Sequence, residues 1–208
     1  RKNPEDLLAE ELLQEPEIAA FNRASREFHN YYSRMFLNLA NKKEASVRKT
    51  LETINAARNA EELEQIRQAC RRQQELDNMT LLAAERVYAI KGKGLVQQYQ
   101  HLTSPVWFRS WKRNHPGSCS DDVLPPSSQQ FLPRIFPHPL YNPSYISESR
   151  LRINAASSNV TRALEKKAQE FGIYKTSYPD GTPRNPKISD KTDLGSPVQN
   201  HESFKLTR

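Results

Sequence analysis

Apolar residues recur at helical spacing through the first hundred residues of this chain, and the pattern then breaks. After Pro16-Glu17, the positions Ile18, Phe21, Phe28, Tyr32, Met35, Phe36 and Leu39 predict one helix. Asn41-Lys42-Lys43 reads as a break, and Val47, Leu51 and Ile54 mark the next helix. Ahead of both, Asn3-Pro4-Glu5-Asp6 supplies a cap, a proline tolerated in the first turn, and acids facing the positive end of the helix dipole. A short helix to about Gln14 follows from it. Asn59-Ala60-Glu61-Glu62 has the form of a capping box, with Asn59 as cap and Glu62 reaching back. From there Leu63, Ile66, Cys70, Leu76, Met79, Ala83, Val87 and Ile90 predict one long striped helix. It is expected to end near Lys91-Gly92-Lys93-Gly94 or one turn later at Tyr99. No glycine precedes Gly92 and no proline lies between Pro16 and Pro105. The fold class is therefore mainly α, with an antiparallel helical hairpin or bundle over about residues 4–99.

Beyond His101 the texture changes. Eight prolines occur from Pro105 to Pro143 inclusive, which predicts extended chain without a helix of useful length. The same stretch carries Trp107, Phe108, Trp111, Phe131, Ile135, Phe136, Tyr141 and, just beyond, Tyr145, whereas spacer segments are poor in aromatics. Such chain is expected to lie along a surface, with Phe131, Ile135, Phe136, Tyr141 and Tyr145 as anchors on a partner. One further helix is predicted from about Ser147 to Phe171, with Leu151, Ala155, Val160 and Leu164 as its stripe and Gly172 as its stop. The organisation that results is a helical body (1–100), an extended proline- and aromatic-rich segment (101–146), a basic helix (147–172) and an irregular basic tail (173–208).

Composition sharpens the division. Mean hydropathy is −0.83 and the net charge is +7. Residues 1–100 hold 16 Lys/Arg against 15 Asp/Glu, while residues 101–208 hold 15 against 9, so the excess of cations belongs mainly to the second half. That balance favours polyanions or acidic surfaces as partners. Two cysteines, Cys70 and Cys119, make no disulfide framework and fit a reducing compartment. No stretch approaches the 18 apolar residues of a membrane span. The chain begins with Arg1 rather than Met, so the expectation is an upstream segment, with a targeting sequence as one candidate.

The sharpest chemical cluster is Val106-Trp107-Phe108-Arg109-Ser110-Trp111-Lys112-Arg113, preceded by Lys91 and Lys93. Trp107 and Trp111 could stack on unpaired bases while Arg109, Lys112 and Arg113 neutralise phosphates. The next reading is that the two indoles cap the helical body and leave the cations in solvent, and a third is that the cluster meets a protein partner. Arg150, Arg152, Arg162, Lys166 and Lys167 share one predicted helix that could lie along an RNA groove. Arg71-Arg72 and Lys42-Lys43 are secondary candidates for phosphate contact. Catalytic and cofactor signatures are missing from the sequence: no HExxH, P-loop, GxGxxG or GxSxG is present. His115 and Cys119 alone make a weak metal pair, and Asp121-Asp122 reads as a turn.

These properties point first to a non-catalytic structural subunit of a large ribonucleoprotein. Within that class the expectation is a lineage-specific mitochondrial ribosomal protein in the matrix, contacting rRNA or other structured RNA and neighbouring proteins. Nucleus or cytoplasm is the alternative location. The rival reading is a protein-only scaffold, such as an accessory subunit or assembly factor of a respiratory or other multiprotein complex. Neither requires a cofactor, a metal or a small-molecule substrate.

Overall fold

The structure, a computed structural model, describes residues 3–117, 131–136 and 143–173. The protein is mainly helical, with no strand among the described residues. Its elements are α1 (Pro4–Leu13), α2 (Pro16–Asn55), α3 (Ala60–Tyr99), a 3-10 turn (Gln100–Thr103), α4 (Pro105–Asn114), α5 (Leu132–Ile135) and α6 (Ser144–Glu170). Tyr141, Cys119, Asp121-Asp122 and nearly all of the expected tail fall outside the described residues.

Local chemistry accounts for the helix ends. Asn3 accepts the Asp6 amide at 2.9 Å and Pro4 occupies the first turn, so α1 starts where an orphan donor is satisfied and a missing one costs nothing. Asn59 accepts the Glu62 amide at 2.9 Å to open α3, and Glu62 reaches back to the Arg58 amide at 2.9 Å. The box is thus closed one residue earlier than the usual reciprocal pair. At the other end of the chain, Gly172 has φ 75°, and the amides of Ile173 and Gly172 donate to Ala168 and Gln169. This two-bond C-terminal motif needs a left-handed residue, which is why glycine stops α6 there.

Several expectations are corrected. Asn41-Lys42-Lys43 is not a break: α2 runs unbroken for 40 residues, because no Gly or Pro interrupts it and Lys43 pairs with Asp77 at 2.7 Å. The stretch from 101 to 146 is not wholly extended. Pro105 stands at the first helical position, with Ser104 as its cap, and the next proline is Pro116, so ten residues form α4 without losing an internal hydrogen bond. Pro133 likewise sits in the first turn of α5. The last helix begins at Ser144 rather than near 147, taking in Tyr145.

The described residues fall into two compact units, one drawn from residues 3–33, 88–117, 131–136 and 143 and the other from 34–87 and 144–173. Helices α2 and α3 each contribute to both units. In the first unit, Leu8 and Leu12 of α1, Ile18 of α2, Leu102, Phe108 and Trp111 of the turn and α4, and Phe131 and Ile135 form one core. Phe21 packs on Tyr99 and edge-on to Phe136, with ring centroids 5.2 and 5.3 Å apart. The Asn22 side-chain amide donates to the Ile135 carbonyl at 2.8 Å, satisfying a buried acceptor at the end of the short α5. Arg134 pairs with Glu5 and Asp6 on α1.

In the second unit, Val47, Ile54, Ala57 and Leu63 pack with Ala156, Val160 and Leu164 of α6. Phe36 faces Tyr145 across 6.0 Å. The expected α6 stripe is half right: Val160 and Leu164 are buried, but Leu151 and Ala155 face solvent and Ile146, Ile153 and Ala156 take their place. The stripe on α3 is corrected in the same way. Leu63 is buried and Ile66 and Cys70 are half-buried, yet Leu76, Met79, Val87 and Ile90 are exposed, and the inward positions are Leu81, Glu85 and Tyr88.

Candidate nucleic-acid interface

Two helices carry the candidate phosphate contacts, and they behave differently. On α4 the residues alternate by face. Phe108 and Trp111 point into the core, with their rings stacked at 5.9 Å and 12°. Val106, Arg109 and Arg113, at i, i+3 and i+7, lie on the opposite, exposed face. With Lys112 they line one shallow surface depression. Lys112 is half-buried, its ammonium 5.9 Å from the Phe108 ring centre.

The indoles do not form the expected base-stacking platform. Trp111 is buried, and its second face is covered by His115 at 4.6 Å and 18°. His115 is held in turn by the Trp111 carbonyl at 2.8 Å from Nδ1 and by Glu15 at 3.2 Å from Nε2. Trp107 is half-buried against the same core. Bundle packing, rather than base stacking, is where both tryptophans go, while the cations beside them stay at the surface.

Arg109 and Arg113 have no acidic partner among the described residues. A helix C-terminus favours cations, and that accounts for Lys112 and Arg113 in the last turn. It does not account for Arg109, which stands in the N-terminal half and forms an i, i+4 like-charge pair with Arg113. Such pairs cost a helix a few tenths of a kcal/mol, on the order of 0.2–0.5. Lys91 and Lys93 are exposed as well, but they stand on α3, about 9–12 Å along the axis before Tyr99 at 1.5 Å per residue.

On α6 most of the candidate cations turn back on the chain. Arg150 pairs with Glu85, whose side chain is 1% exposed, and burial pulls the guanidinium pKa below its ordinary value. Arg152 makes a fork on Glu44, 3.1 Å from Nε and 2.6 Å from Nη2, and bonds Asn41 at 2.6 Å. The Arg152 hydrogen bond lowers the Glu44 pKa and raises that of Arg152. Lys167 donates to the carbonyl of Asn55, the last residue of α2, at 3.1 Å and also pairs with Glu170. The expected phosphate roles of Arg150, Arg152 and Lys167 therefore meet carboxylates and a helix-end carbonyl that the sequence alone could not place opposite them. Arg162 and Lys166 remain exposed at i, i+4, with Arg162 reaching the Asn159 side chain. Lys43, a secondary candidate, is taken by Asp77, whereas Lys42, Arg71 and Arg72 are exposed.

The aromatic anchors meet a similar fate. Phe131 and Ile135 are buried in the first unit's own core and Phe136 is half-buried against it, so these residues anchor chain to chain within the protein. Tyr145 is half-buried against Phe36. Among the described residues no group of three or more His, Cys, Asp or Glu could hold a metal ion. Cys70 is half-buried, and that burial pushes its thiol up from the ordinary value. No described helix is long and apolar enough to cross a membrane. No protein-family model matches the chain, and no curated protein and no solved structure matches it either.

Proposed function

We propose that this protein is a non-catalytic structural subunit of a large ribonucleoprotein, bound to structured RNA through the outer face of α4. The assembly we name is the mitochondrial ribosome, with rRNA and neighbouring proteins as partners and the matrix as location. The observation that carries the reading is the placement of Arg109, Lys112 and Arg113 on one short helix whose inner face is fixed in a core. Rigid backing of this kind fixes the helix backbone that presents these cations, so no backbone has to be ordered on binding. In this reading the antiparallel hairpin over about residues 4–99 is the scaffold, and the α4 face is the contact.

A salt titration tests it. Purified full-length chain should bind a structured RNA hairpin with an affinity that falls by orders of magnitude between about 50 and 200 mM salt. Affinity that is absent, or flat with salt, contradicts the proposal. The second reading is a protein-only scaffold of a multiprotein complex, and α6 favours it, since Arg150, Arg152 and Lys167 close on the chain's own carboxylates and on the Asn55 carbonyl.

A further inference from the structure

The exposed apolar residues of α3 are not scattered. Leu76, Met79, Val87 and Ile90 are 56%, 66%, 47% and 70% exposed, and with exposed Ala83 they recur at i, i+3, i+7, i+11 and i+14. At 3.6 residues per turn these positions fall on one stripe about 21 Å long. It is distinct from the face that carries Leu81, Glu85 and Tyr88 inward. Four such side chains expose on the order of 400 Å², a size at which contiguous apolar patches on monomers are often functional.

The borders of the stripe are basic. Arg72 continues its line one turn earlier, Arg86 and Lys93 lie along one edge, and Lys91 lies along the other. Glu75, beside the Arg86 edge, is the single acid at these borders among the described residues. All of these charged residues are exposed, and none pairs with another described side chain. We infer that this face of α3 docks an amphipathic helix of a partner protein, apolar along one side and acidic along both flanks. An apolar line at these intervals is the surface that helix-on-helix recognition reads, and flanking charges choose the partner.

Charge decides between the possible occupants. A second copy laid on the same face would bring Arg72, Arg86, Lys91 and Lys93 against their own counterparts, an arrangement that like-charge repulsion disfavours. The chain's own residues 174–208 carry six Lys/Arg against four Asp/Glu, the wrong sign for this border. RNA has no use for a leucine, methionine, valine and isoleucine line. The inference goes beyond the RNA reading of α4 and shares no α4 residue with it.

The test uses the full-length chain and a synthetic 18-residue helical peptide with a leucine face and glutamate flanks, followed by fluorescence anisotropy. Binding is expected to weaken at least tenfold in Met79→Glu/Val87→Glu and several-fold in Arg86→Glu/Lys93→Glu. A control peptide with lysine flanks should bind at least tenfold more weakly than the glutamate one. Circular dichroism of the variants should match the parent, since every substituted side chain is exposed. Affinity of the Met79→Glu/Val87→Glu chain for an RNA hairpin should be unchanged, which separates this test from that of α4. The inference is overturned by no peptide binding, by equal binding of both peptides, or by variants that bind as the parent does. It is equally overturned if sedimentation shows the parent dimerising through this face, or if the same variants lose binding to anionic phosphatidylglycerol vesicles while peptide binding stays unaltered.

Discussion

Helices α4 and α6 are both rich in cations, yet they place them differently: Arg109 and Arg113 stay outward on α4, whereas on α6 Arg162 and Lys166 stay outward and three others turn back on the chain. On α4 the inner face is aromatic and apolar, so Phe108 and Trp111 take up the burial and Arg109 and Arg113 are left at the surface. On α6 the neighbouring segments offer Glu85, Glu44 and the Asn55 carbonyl, and Arg150, Arg152 and Lys167 close on them. Basic composition alone does not make a polyanion site. What matters is whether the same chain supplies an acceptor opposite, which is a property of tertiary placement.

The largest way to disturb this comparison is through the residue that backs the α4 face. Trp111→Ala should destabilise the first unit by about 3–5 kcal/mol, as removal of a large buried aromatic does. Thermal unfolding followed by circular dichroism reads it, and a loss below about 1 kcal/mol means that Trp111 is not a core residue. On the α6 side, Glu85→Ala leaves Arg150 without its partner and should cost about 3–5 kcal/mol. Replacing both Glu85 and Arg150 with leucine should recover most of that loss, because a buried pair is weak evidence for net stability. If the double variant is no more stable than Glu85→Ala, the pairing is not what holds Arg150 inward.

The sequence made the helical class and most helix ends legible, because caps, prolines and Gly172 act locally. It did not make the inward faces legible. The apolar pattern of α3 matches the inward face at Leu63, Ile66 and Cys70, then departs onto the exposed Leu76–Ile90 line, since the inward position at 85 is a glutamate. A buried Glu is unreadable without knowing that Arg150, 65 positions later, faces it. Ser149, Asn154 and Ser157 hid the α6 face for the same reason, being polar and buried. The prolines misled differently: counted together they forbid helix from 105 to 143, but taken one at a time they leave room for α4 between Pro105 and Pro116. For the candidate site, Arg109, Lys112 and Arg113 are legible as a group because they are near neighbours in sequence, while the burial of Trp111 depends on α1 and α2 and is not legible locally.

A smaller effect separates the two helices by pH. Hydrogen bonding to Arg152 holds the Glu44 carboxyl below the usual carboxylate range. A lowered folded-state value means that the pair stabilises above the ordinary glutamate pKa and loses its contribution as pH falls through the folded value. The second unit should therefore lose a small part of its stability below the ordinary glutamate range. In Arg152→Ala that increment should vanish from a pH series of melting temperatures. Persistence of the full increment in the variant assigns it to other carboxylates.

The proposed RNA contact runs through the cations on α4 and not through those engaged on α6. The direct measurement compares the slope of log affinity against log salt for a structured RNA hairpin among the parent chain, Arg109→Ala/Arg113→Ala and Arg152→Ala/Lys167→Ala. Removing two phosphate contacts should lower the slope by about 2 and weaken binding in the α4 variant, with little change in the α6 variant. An unchanged slope in the α4 variant, or an equal loss in both, contradicts the account.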